Sequence, residues 1–157
     1  MSFSTFSGPL RSGTVKEGVG QNTGVVMLAQ SYDSGNLAGT TTGNYDVAAF
    51  ILPQGSQIIN ILVDQVVAAT VGTTTISVGT TSGGAQLMAA VATTAGGRFV
   101  GTATAATQLA WQTSTTADTT VYIRDVVGTG TLGAGRFIVT VVYVQRNPDG
   151  SQSPVSA

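Results

Sequence analysis

The stretch from Leu52 to Thr80, LPQGSQIINILVDQVVAATVGTTTISVGT, leaves the backbone little choice. Between Gln57 and Val67 β-branched residues fill a run in which faces can be assigned by alternation. Successive strand residues point to opposite faces, and branched side chains suit a pleated, half-buried surface. On that period Ile59, Ile61, Val63 and Val67 share one face, and Ile58, Asn60, Leu62, Asp64 and Val66 share the other. The first face is expected to be dry, the second partly wet or set against another surface. Pro53-Gln54-Gly55 ahead of the run is turn chemistry, Pro presetting φ and Gly supplying freedom. Gly72-Thr73 turns the chain again, and Thr74, Ile76 and Val78 resume the period of two.

The same signals recur elsewhere. Val25–Tyr32, Tyr45–Leu52, Arg98–Val100, Gln108–Gln112, Thr119–Val127 and Arg136–Gln145 read as further strands between turns rich in Gly and Thr. In TTVYIRDVV, Val121 and Ile123 are set inward, Tyr122 and Arg124 outward. RFIVTVVYVQ is apolar on both faces, which suits a central strand covered on two sides. In Ala85–Thr93 the Ala, Leu and Met content favours helix, and Leu87, Met88 and Val91 can share a helical face, so a short helix or single turn is expected. About eight short strands with hardly any helix predict an all-β chain folded as an antiparallel, jelly-roll-like β-sandwich.

Residues 25–147 are expected to form that sandwich and 148–157 a flexible tail. Residues 1–24, punctuated by Gly8-Pro9, Gly13, Gly18 and Gly20, read as an extended N-terminal arm. Two readings of the arm stand side by side. One is a frayed terminus. The other is a latch inserting Phe3 and Phe6 into a neighbouring chain, with Leu10 and Arg11 beside them; two of the five Phe residues sit here. The latch makes Phe3, Phe6, Leu10 and Arg11 the candidate partner-binding residues.

Only 8% of the residues are charged, against about a quarter in ordinary domains, while 42% are hydrophobic and the mean hydropathy is +0.29. Such a chain can build a core, but its surface must be coated with neutral side chains or buried against other chains. An obligate oligomer or assembly component is favoured over a solitary monomer. The six basic residues, Arg11, Lys16, Arg98, Arg124, Arg136 and Arg146, are scattered, so nucleic acid is not an expected partner. The N-terminus lacks the basic and continuous apolar regions of a secretory signal, and Asn60, Asp64 and Gln65 interrupt the longest apolar stretch, so no membrane step is expected.

Chemistry-bearing patterns are few. With no His and no Cys, a His-activated nucleophile, a disulfide and a thiolate metal site are all excluded. Most of the carboxylates lie in turns; Asp64 and Asp125 lie within strands and are expected to face solvent or to pair, for example with Arg124, rather than to form a catalytic dyad. No calcium-loop spacing occurs. Gly128-Thr129-Gly130-Thr131-Leu132-Gly133 matches the dinucleotide fingerprint in letters, but a strand follows where that fold needs a helix, so it reads as a loop. Trp111, Tyr122 and Tyr143 could stack on sugars, although a lone Trp in an all-β chain is more often core. No catalytic residue, cofactor, metal or small-molecule substrate is expected, and the chain does not read as an enzyme.

One resemblance can be named on these residues. Leu52-Pro53-x-Gly55-x-x-Ile58-Ile59-x-Ile61-x-Val63-Asp64, then Gly72-Thr73-Thr74 and Ile76-Ser77-Val78-Gly79, resembles a recurrent segment of small structural proteins in tailed-phage virions. The Gly-Pro-bearing arm and the RFIVTVVYVQRN close are similar to the same group. The match covers the middle third and the last strand, and it is structural, not catalytic. It implies a head decoration (cement) protein, commonly a trimeric β-sandwich on the capsid exterior that staples neighbouring major capsid subunits. On that resemblance the major capsid protein is the partner, and the chain is made in the host cytoplasm and ends on the virion surface. Repeated weak contacts at symmetry-related places bind by avidity, so few charges are needed. The alternative is a tail, fibre or receptor-binding sandwich that recognises host glycans; such domains usually show aromatics at loop tips, where this chain has Gly, Thr and Ser.

Overall fold

The computed structural model describes residues 27–35, 43–69, 74–93, 95–101, 107, 109–112, 116–127 and 135–145. They form strands β1 (Met27–Asp33), β2 (Gly43–Leu52), β3 (Ser56–Val67), β4 (Thr74–Gly79), β5 (Met88–Ala92), β6 (Gly97–Val100), β7 (Thr119–Val127) and β8 (Arg136–Gln145). Sheet A has the order β1-β8-β3-β6 and sheet B the order β2-β7-β4-β5, every pair antiparallel. All connections but the one between β4 and β5 carry the chain from one sheet to the other. That is the winding of an eight-stranded jelly roll, so the all-β sandwich expected from the sequence is the fold that forms.

The core lies between the sheets. Along β7, Val121, Ile123, Asp125 and Val127 point inward; along β8, Phe137, Val139, Val141 and Tyr143 do. Their partners across the strands include Ile61 and Val63 of β3 and Ile76 and Val78 of β4, all four fully buried. The turn between β2 and β3 is as expected: the Ser56 N–H donates to the Pro53 carbonyl at 3.1 Å, and Gly55 has φ +73°, which the third position of a type II turn requires. Gln30 of β1 ties the sheets along one edge, its Nε2 donating to the Ile51 carbonyl and to the Tyr143 hydroxyl, each at 3.0 Å.

Three expectations are corrected. First, strict alternation along β3 fails because the register skips a residue between Ile58 and Asn60. A bulge inserts one unpaired residue and re-aims its neighbours. Ile58 and Ile61 therefore both face the core, while Ile59 is 46% exposed. From Ile61 through Val63 to Gln65 the alternation is regular and inward, and a second skip between Gln65 and Val67 leaves both Val66 and Val67 outside. Second, Ala85–Thr93 holds no helix: Met88–Ala92 is β5, with Met88 opposite Val78 and Val91 opposite Ile76. Pairing with β4 overrides the local helix propensity. Third, Gln108–Gln112 contains a turn in place of a strand. The Trp111 N–H donates to the Thr107 carbonyl at 3.1 Å, and only an isolated bridge joins Gln112 to Gln57. Trp111 itself is core, its indole N–H donating to the Leu87 carbonyl at 2.8 Å. The arm, the tail, Gly72-Thr73 and the glycine run from Gly128 lie outside the described residues.

The bulge makes a direct prediction. Ile61→Ala should cost about 2–5 kcal/mol of unfolding free energy in denaturant titrations, whereas Ile59→Ala should cost under about 1 kcal/mol. Equal losses would mean that alternation runs unbroken through β3.

Candidate interaction surfaces

The polar groups of the strands first show where chemistry could occur. Among the described residues no three His, Cys, Asp or Glu side chains gather as metal ligands. Asp64 receives a two-pronged fork from Arg98, at 2.6 Å from Nε and 3.0 Å from Nη2, and those bonds hold its carboxyl below the ordinary range. Asp33 is held by Arg136 in the same way and accepts the Gly35 N–H at 2.9 Å; the Arg136 bonds, then that N–H, lower it to about 2. Asp33, Ile138, Asp64 and Arg98 make one cross-strand row at one end of the outer face of sheet A. Exposed pairs of this kind fix geometry more than they stabilise.

Arg124 pairs with neither strand carboxylate singled out from the sequence. Its Nη1 donates to the Gly83 carbonyl at 2.8 Å, and its Nε lies 3.7 Å from Asp46. The Ser82 hydroxyl donates to Asp46 at 3.1 Å. The β4–β5 loop is thereby drawn over the outer face of sheet B. Gly83 permits this, with φ +76° and its Cα position against the Arg124 guanidinium, where a Cβ would collide.

Asp125 lies between the sheets, in the interior row Tyr45–Asp125–Ile76, and is 5% exposed. Burial alone raises its carboxyl to about 6. Asp64 sits on the outer face of the other sheet, so the two do not form a dyad. The aromatic trio is dispersed as well: Trp111 and Tyr143 are core, and Tyr122 lies half-buried on the outside of sheet B.

What remains is an apolar face. On the outside of sheet A, β8 contributes Ile138, Val142 and Val144, all half-buried, with Leu62 of β3 and Ala29 of β1 beside them; the face is broken by the hydrogen-bonded pair Ser31–Thr140 and by Asn60 and Gln57 of β3. At its margins Met27, Val100, the bulged Ile59 and Val67 are 66%, 54%, 46% and 42% exposed. No described strand stacks on this side, since the eight strands are consumed by the two sheets. The sequence signal was present in RFIVTVVYVQ, apolar on both faces. The expectation of a central strand holds, β8 lying between β1 and β3; one of its faces is covered by sheet B, and the other by nothing among the described residues. Phe3, Phe6, Leu10 and Arg11 lie outside the described residues.

Neither a family model nor a curated protein matches the sequence. The fold does match solved structures. A chain from the capsid of Ralstonia phage GP4 superposes with a TM-score of 0.59 at 21% identity, over 85% of this chain and 92% of that one. A chain from the capsid asymmetric unit of cyanophage Pam1 superposes with a TM-score of 0.57 at 20% identity, over 90% of this chain and 98% of that one. The jelly roll built here is thus a fold that two phage capsids contain, in chains of nearly this length.

Asp125 generates a pH prediction. Its carboxyl titrates near 6 when folded and near 3.8 when unfolded, so between those values the folded state binds more protons. Stability therefore falls as pH rises through that window. Unfolding free energy at pH 5 should exceed that at pH 7.5 by on the order of 1–2 kcal/mol, allowing for residual solvent access, and Asp125→Asn should remove the difference. The Asp33 and Asp64 pairs act oppositely, being lost only as pH falls below the ordinary carboxylate range. Stability that rises from pH 5 to 7.5 would contradict the buried position of Asp125.

Proposed function

We propose that this chain is a phage virion structural protein, a capsid decoration (cement) protein that binds the outer surface of the head and stabilises contacts between major capsid subunits. The observation that carries the proposal is the match of the fold, over nearly its whole length, to chains of phage capsids. A chain of this size without described helices is poorly suited to be the shell subunit itself, which in tailed phages needs long helices and more residues.

The physical character of the surface supports the same reading. A cement protein acts by binding alone: it needs a stiff core and neutral faces that are buried on assembly. The described Arg residues are all engaged in ion pairs within the chain, so contacts with a partner rest on shape and apolar area. Homotrimerisation fits the low charge and the open face of sheet A, since symmetric association buries apolar surface that a monomer exposes. The glycan-binding alternative loses support because Trp111 is in the core.

Purified protein should sediment as a trimer at micromolar concentration and should co-sediment with empty heads lacking it, raising their resistance to heat. A stable monomer counts against the oligomer. Failure to pellet with heads, by protein whose β-rich circular dichroism is intact, counts against the decoration role.

A further inference from the structure

The open face of sheet A has dimensions that select its occupant. Across the four strands it is about 14 Å between the outer axes, and along β8 from Ile138 to Val144 about 20 Å, giving an area of about 300 Å². A stable interface between two rigid proteins buries about 800 Å² on each side. The face is too small to hold a second globular body by itself, but it suits an extended segment. From Phe3 to Arg11 the chain spans at most about 30 Å, enough to cross the face along its diagonal of about 24 Å. This segment also carries three large apolar side chains, Phe3, Phe6 and Leu10, within eight residues.

Where the segment enters decides which copy it can serve. The chain joins the sheet at Met27, whose outer-face position lies in the end row with Val144 and Gln57. β1 runs from there into the sheet, so the described chain begins at the end row of this face, and residues 12–26 separate it from the segment Phe3–Arg11, a stretch long enough to serve a neighbouring copy. Between Leu10 and Met27 the backbone can reach up to roughly 55 Å, ample for a neighbour.

We infer that the outer face of sheet A is the receptor for the N-terminal segment Phe3–Arg11 of a second copy, so that each copy donates one arm and accepts another. Met27, Val100, Val142 and Val144 form the floor, and the row of Asp33, Asp64 and Arg98 closes one end. Arm exchange of this kind closes a ring without a large rigid interface. It extends the oligomeric part of the proposed function and is independent of what the ring then binds.

The test uses full-length protein and the absence of native cysteine. Phe6→Cys chains are mixed with differently tagged Val144→Cys chains and treated with a short bismaleimide. Ala48→Cys, on the outside of sheet B, replaces Val144→Cys as the control. The inference predicts a product joining the two tags at least tenfold above the control. An equal yield with the control, no product, or a product confined within single chains of the Phe6→Cys/Val144→Cys double variant would overturn it. Independently, Met27→Lys combined with Val100→Lys changes only exposed side chains and should leave the β-rich circular dichroism intact while shifting micromolar protein to monomer. An unchanged oligomer in that variant also overturns the inference. Because no heads are present, either result leaves the decoration role to the co-sedimentation experiment.

Discussion

Strand β8 cannot present both of its sides to water, and the rest of the molecule follows from that. β3 flanks it from Arg136 to Gln145 and β1 from Ile138 to Val144, so its central residues are paired on both edges. One row of its side chains, from Phe137 to Tyr143, meets sheet B and makes the core. The other row holds Ile138, Val142 and Val144 with Arg136 and Thr140, and no layer among the described residues stacks on it. Burying a Val or Ile side chain is worth about 1.5–3 kcal/mol, so a half-covered row is a standing driving force for association.

The polar groups are arranged consistently with association. Arg98 with Asp64 and Arg136 with Asp33 sit at one end of the open face, each neutralising the other, so no net charge opposes contact there. Arg124 and Asp46 instead hold the β4–β5 loop over one part of the outside of sheet B, while Ala48 and Ile51 on the same face stay exposed. Asp125 is the exception, a carboxyl whose charged form is penalised by burial and which makes the fold stiffer in mild acid than at neutrality.

Much of the fold was legible because the alternation in β7 and β8 is unbroken; Thr119–Val127 and Arg136–Gln145 are read from the letters with the bounds the structure has. Legibility ended where tertiary contacts choose between local options. No letter marks the bulge at Ile59, since Ile58, Ile59 and Ile61 are chemically alike and only pairing with β8 tells which one is surplus. Met88–Ala92 has helical composition, and only the nearby edge of β4 makes it a strand. The interaction face was half legible: two apolar rows in β8 announce a covered strand, but not whether the cover belongs to the same chain. The ion pairs were not legible, because Arg98 and Asp64 are brought opposite each other by a register that sequence spacing does not encode.

The central claim is that this jelly roll works as a wedge between other proteins of a virion. A cryo-electron microscopy reconstruction of heads assembled with and without the chain tests it most directly. The account predicts difference density for an eight-stranded sandwich outside the shell, at the seams between shell subunits, with the outer face of sheet A covered. Difference density inside the shell, at the tail alone, or absent would contradict it.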